Sequence, residues 1–207
     1  MSSPEASSRR PECSSQSAPL VPISALSFST WNAQALLGSL HGEHRIVSSK
    51  FKQLHRLVTK HDIVVIQESH GDDIDTDTLI RKLPYHRVFA SYCPSAAAGG
   101  CLTIVHERVC NQFEQIWLED VILGRLTIIH LRKQGQAIAV ANVHPDPTIP
   151  FSHKKAFLQH LNRRLPPLPR CANYILGDFN FSEVGEVRQR LDGKTVKKQS
   201  WSGSVFR

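Results

Sequence analysis

The sequence predicts an α+β fold built as a two-layered β-sandwich flanked by helices. Three observations carry this. Strand-like and helix-like segments follow in the order β-α-β-α-β-β-β-β-β-α-β-α, which mixes hairpins with helical crossovers and disfavours a doubly wound parallel sheet. The chain has 207 residues, enough for one domain with a real core and short for two. Its 41% apolar and 21% charged residues are those of a globular protein, not a disordered or fibrous one.

The elements follow in order. Residues 1–25 are rich in Ser and Pro, lack periodicity and predict a disordered extension. Ser27–Ala33 reads as a first strand. Arg45–Lys60 places Val47, Phe51, Leu54, Leu57 and Val58 on one helical face. Asp62–Gln67 is a continuous apolar run of strand length, suited to a buried strand. Asp75–Leu83 reads as a short helix stopped by Pro84. A β-rich middle follows: Tyr85–Ser91, Cys101–His106, Gln112–Leu118, Arg125–Leu131 and Ala137–Val143. Gly99-Gly100 and Gly124 punctuate it. Phe151–Leu165 reads as a helix ended by Pro166, Pro167 and Pro169, Asn173–Leu176 as a strand, and Glu183–Leu191 as a helix. Residues 192–207 read as a basic, polar tail, which leaves 26–191 as the folded domain.

Composition excludes some classes. No apolar run approaches the ~18 residues of a membrane helix, and no apolar stretch near Met1 makes a secretory signal. An intracellular protein, cytoplasmic or nuclear, is the expectation. Five cysteines with no CxxC pair argue against a disulfide framework or a zinc ribbon. Charge is uneven: residues 1–150 carry 14 basic and 14 acidic groups, residues 151–207 carry 11 and 4, so the net +7 sits in the last quarter. A local basic excess favours phosphate-bearing partners, or is a solvated surface with a basic tail.

Polar residues stand at strand ends, where binding groups project. Asn32 ends the first strand, Glu68 ends DIVVIQE, Asn142 and His144 end AIAVANVH, and Asp178 and Asn180 end YILGDFN. A buried strand does not usually end in an unpartnered carboxylate, because an unpaired buried charge is costly. Two carboxylates, Glu68 and Asp178, converging at one sheet edge would suit a hard divalent cation, since Mg²⁺ is often held by one or two carboxylates plus water and phosphate.

Four short blocks in this order, TWN (Thr30–Asn32), IQE (Ile66–Glu68), NVH (Asn142–His144) and GDFN (Gly177–Asn180), make the chain resemble the endonuclease/exonuclease/phosphatase superfamily, including its retroelement endonucleases. The resemblance covers roughly Ser27 to Ser182 and implies a four-layer α/β/β/α, DNase-like fold. It implies Glu68 as ligand of a catalytic Mg²⁺ (or Mn²⁺), with Asn32 beside it. It implies Asp178 as the base acting on the attacking water and Asn180 as an orienting group. It implies His144 as a phosphate contact with Asn142 close by, and, more weakly, Arg125 as another. The implied reaction is in-line attack of water on a phosphoester, with the metal as Lewis acid.

The chain departs from the family at its end. The family closes with a further acid and a terminal Asp-His pair, whereas after Ser182 this sequence has Glu183, Glu186 and Asp192 and no histidine. The expectation is a C-terminally incomplete domain with an incomplete second sheet and impaired activity. Nucleic acid is the expected substrate, through a nuclease. A catalytically impaired, nucleic-acid-binding remnant is a competing reading, and phospholipid or inositol phosphate substrates stay open. Trp31, Tyr92 and Trp117 are candidates for base stacking or for core.

Other motifs read more simply. The ten histidines besides His144 read as surface or satisfied groups. Gly71–Thr78 resembles a calcium loop but lacks its glycine and closing Glu, so a helix N-terminus rich in acids is expected. Cys101, in an apolar strand, reads as core.

Overall fold

The computed structural model describes residues 25–40, 46–167, 171–180, 187–189 and 195–197. The extension at 1–24, most of the tail, and His41 and His44 lie outside them. The elements are β1 (Phe28–Asn32), α1 (Ile46–Lys60), β2 (Ile63–Gln67), α2 (Asp73–Lys82), β3 (His86–Ser91), β4 (Cys101–His106), α3 (Glu107–Cys110), β5 (Gln115–Ile122), β6 (Leu126–Lys133), β7 (Gln136–Val143), α4 (Phe151–Arg164), β8 (Ala172–Gly177), β9 (Val187–Gln189) and β10 (Thr195–Lys197).

Two four-stranded mixed sheets form, ordered β1-β2-β4-β3 and β5-β6-β7-β8. Each has one parallel pair, β1 with β2 and β7 with β8, and antiparallel pairing elsewhere. Strand alternation sorts the apolar residues into three layers. On β2, Ile63 and Val65 face the second sheet, while Val64 and Ile66 face the helices. Ile129, Leu131, Ile138 and Val140 complete the inter-sheet layer. Leu54 and Val58 of α1 and Leu79 of α2 cover the first sheet. Phe157, Leu158 and Leu161 of α4 cover Leu126, Ile128, Ala139 and Ala141 of the second. The expected sandwich flanked by helices is the architecture observed. No helix among the described residues is long and apolar enough to cross a membrane.

The helix expected over Asp75–Leu83 is α2, which starts two residues earlier at a side-chain cap. Asp72 caps α2, accepting from the Ile74 and Asp75 amides, and Asp75 returns a bond to the Asp72 N–H. The acidic run at the start of α2 thus forms a capping box.

Three expectations shift. The strand expected over Gln112–Leu118 begins at Gln115, because His106 caps the one-turn α3 and the chain turns through Asn111–Phe113 before pairing with β6. One helical turn is too short to leave a period in the sequence. The helix expected over Glu183–Leu191 is replaced at 187–189 by strand β9. The tail expected at 192–207 is strand at 195–197, where β10 pairs antiparallel with β9.

Candidate active site

The two parallel pairs deliver the strand-end residues to one place. Parallel strands end at the same edge, and β1 and β2 run in register so that Asn32 lies level with Gln67 and Glu68 follows. In the second sheet Val143 lies level with Gly177, so His144 and Asp178 leave side by side. Face-to-face packing then sets the two edges against each other.

The backbone is shaped to make these exits. Gly177 has φ +146°, and a Cβ there would stand 2.0 Å from the Val143 carbonyl oxygen. Only glycine lets β8 approach β7 so closely just before Asp178. Glu68 (φ +52°) and Asn180 (φ +51°) hold left-handed conformations, which cost a non-glycine residue about 1–2 kcal/mol. The Glu68 conformation is pinned by its neighbours: its carbonyl accepts from the Ala35 N–H at 2.7 Å, and Ser69 N–H reaches the Gly100 carbonyl at 3.2 Å.

Asn32 joins the two carboxylates. Its amide nitrogen donates to Glu68 Oε1 at 3.2 Å and to Asp178 Oδ2 at 3.1 Å. The other Asp178 oxygen, Oδ1, accepts from the Asn180 N–H at 3.0 Å. The Asn180 side chain donates to the Pro145 carbonyl at 3.0 Å, and Lys154 Nζ donates to the Asn180 carbonyl at 3.1 Å. Asn180 therefore stitches the loop after β8 to the loop after β7.

His144 is 1% exposed. Arg125 Nη1 lies 3.1 Å from its Nδ1. Guanidinium only donates, so Nδ1 accepts and the proton of the neutral ring sits on Nε2. Burial lowers the His144 pKa, and Arg125 lowers it further, against the opposing pull of Glu68 and Asp178. Nε2 stands 3.1 Å from Glu68 Oε1.

The structure corrects one expectation. Asn142 is fully buried between the sheets and does not face the site. It donates to the Ile66 and Leu102 carbonyls, both at 3.0 Å, and accepts from Gln67 Nε2 at 2.8 Å. It is a brace that fixes the ends of β2 and β4 relative to β7. Its partner Gln67 was not singled out in the sequence, although a lone amide closing an apolar run is the available signal. Asp146 was also missed: its Oδ1 accepts from the Thr148 N–H and hydroxyl, and its Oδ2 lies 3.8 Å from Arg125.

The donor set fits a hard divalent cation. Asn32 Oδ1 is buried with no hydrogen-bond partner beside the two carboxylates, and such an orphaned oxygen calls for a ligand. Among the described residues no three His, Cys, Asp or Glu side chains form a metal cage. A cation here would be held by few protein oxygens, which is how Mg²⁺ is commonly bound.

The remaining candidates resolve by burial. Cys101 is 1% exposed and burial raises its thiol pKa, as core packing requires. Trp31 and Tyr92 pack on the first-sheet core, and burial pushes the Tyr92 phenol up to about 12. Trp117 is exposed and stacks on His130, with ring centroids 4.7 Å apart.

Residues 29–195 match the family described as the Endonuclease/Exonuclease/phosphatase family. No curated protein matches the chain. Among solved structures, AP endonuclease LMAP from Leishmania major is similar at a TM-score of 0.58 and 15% identity, over 77% of this chain and 56% of that one. D. rerio TDP2, complexed with single strand DNA product, is similar at 0.51 and 12%, over 76% and 62%. An AP endonuclease from Archaeoglobus fulgidus is similar at 0.50 and 18%, over 77% and 59%. The chain thus spans under two thirds of the length of these three structures.

Proposed function

The chain belongs to the Endonuclease/Exonuclease/phosphatase family, and from that premise we propose that it is a divalent-metal-dependent phosphoester hydrolase acting on nucleic-acid phosphodiesters. One observation carries the reading: a single amide, that of Asn32, ties Glu68 on one sheet to Asp178 on the other. That puts two carboxylates where the two sheet edges meet, beside a buried imidazole and a guanidinium. The similar TDP2 structure holds single strand DNA product, which supports nucleic acid as the substrate class.

Glu68 and Asn32 would hold the cation, which when bound supplies Lewis-acid stabilisation of charge on phosphoryl oxygens. Asp178 takes the proton of the water that attacks phosphorus, the P–O bond to the leaving nucleoside oxygen breaks as the new bond forms, and the leaving oxygen takes a proton from solvent. Its two oxygens are anchored by the Asn32 amide and the Asn180 N–H, so the carboxylate is aimed before substrate arrives. His144, whose Nε2 stands 3.1 Å from Glu68 Oε1, is the imidazole that contacts the phosphate in this reading. Arg125 fixes the histidine tautomer and adds positive charge beside the same phosphate. Asn180 holds the loop that carries this group in place.

The test is nicking of supercoiled plasmid and cleavage of a single-stranded oligonucleotide, with Mg²⁺ and with EDTA, beside Asp178→Ala as the control for contaminating nuclease. Cleavage that needs both Mg²⁺ and Asp178 is the expected result. A folded protein that cleaves neither substrate would overturn the reading. If it still binds the oligonucleotide, with an affinity that falls smoothly with salt and ignores Mg²⁺, a binding role replaces catalysis.

A further inference from the structure

We propose that the cavity between the end of β5, the loop after β7 and one face of α4 is the subsite that receives the nucleobase next to the scissile phosphate; this rests on the hydrolase reading above. The cavity has a volume of about 430 Å³, within the range of small-molecule sites. Its walls are Ile122, Ile149, Ala156 and Phe157, with His153 and His160 beside them. The four α4 residues stand at 153, 156, 157 and 160, the spacing of one helical stripe. Phe157 is 7% exposed and belongs to the core, while Ile122 is 36% exposed.

Continuity with the site identifies the occupant. Arg125 and Asp146 also line the cavity, and Arg125 is the residue that contacts His144. A phosphate held at His144 and Arg125 therefore has its attached nucleoside within reach of the cavity. The Asp146–Thr148 hydrogen bonds fix the loop that carries Ile149. Apolar walls take the faces of a planar ring, because every base has an apolar π-face. Two imidazoles supply donors and acceptors for its polar edge. A sugar or inositol ring, rimmed with hydroxyls, gains less from such walls than a planar base does.

The test compares equilibrium binding of deoxyadenosine monophosphate and of 2-deoxyribose 5-phosphate, which lacks the base. Wild type should bind the nucleotide at least tenfold more tightly. Ala156→Trp, which fills the cavity from a solvent-facing helix position, should erase that preference. Ile122→Ser should reduce it. Circular dichroism would establish that both variants are folded. Equal binding of the two probes by wild type, or a preference left intact in Ala156→Trp, would overturn the proposal. So would tighter binding of glycerophosphoinositol that Ala156→Trp abolishes, since it would assign the cavity to a lipid headgroup. Base-dependent binding without plasmid cleavage would instead sink hydrolysis and leave the subsite standing.

Discussion

Asn32 and Asp178 are 146 residues apart in sequence, yet the Asn32 amide donates to Asp178 Oδ2 at 3.1 Å. The bond joins the first strand of one sheet to the last strand of the other. It holds a carboxylate close to Glu68, which shares the same donor. Two negative groups set side by side repel unless a donor or a cation lies between them.

That relationship predicts a metal-dependent stability. Asn32→Asp removes the shared donor and adds a third carboxylate. Without divalent cations its thermal midpoint should fall several degrees below wild type, and added Mg²⁺ should raise it more than it raises wild type. Thermal denaturation across a Mg²⁺ series reads this, and equal responses would count against a cation held at Glu68 and Asn32.

The Asn142 brace predicts a stability defect. Asn142→Ala leaves the Gln67 amide buried without its partner and removes a second donor from the Ile66 and Leu102 carbonyls, which keep their β2–β4 pairing. An unsatisfied buried group costs about 1–3 kcal/mol, so urea denaturation should show a loss of about 1–3 kcal/mol. A loss below about 1 kcal/mol would mean that the sheets are positioned by apolar packing alone.

Asp62 predicts a pH dependence. Burial works to raise its pKa, but hydrogen bonds from the Ser27 N–H and hydroxyl and the Arg108 guanidinium outweigh it and hold the carboxyl below 3.8. A carboxyl depressed on folding stabilises the protein above its unfolded pKa, and that contribution is lost as pH falls through the folded value. Asp62→Asn should therefore be less stable than wild type at pH 7 by about 1–3 kcal/mol. The gap should close as pH drops below 3.8. Denaturation curves at both pH values check the sign.

Gly177→Ala places a methyl 2.0 Å from the Val143 carbonyl. Separation of β7 from β8 displaces Asp178, so activity should fall steeply even in protein that remains folded by circular dichroism. Activity near wild type would show that Asp178 tolerates displacement.

Much of this was legible in the sequence because the signals are local. The apolar run over Asp62–Gln67 marked a strand buried on both faces, and the polar residues at the ends of the parallel strands marked the candidate site edge. Less legible were contacts between distant segments. Nothing local to NVH separates Asn142, which points into the sandwich, from His144, which points to the site. Strand alternation puts both on one face, but Asn142 lies within the sheet and His144 beyond its end. The Arg125–His144 contact needs the β6–β7 register, and a strand ends one residue from each partner. The β9–β10 pair was missed because Val187–Gln189 is too short to show alternation.

The most direct measurement is the single-turnover rate of Mg²⁺-dependent phosphodiester cleavage by wild type and Asp178→Asn, which keeps shape and removes the base. The account predicts cleavage by wild type and a rate roughly 100-fold or more lower in the variant, the scale of a lost general base. An unchanged rate in Asp178→Asn, or wild-type cleavage that persists in EDTA, would contradict it.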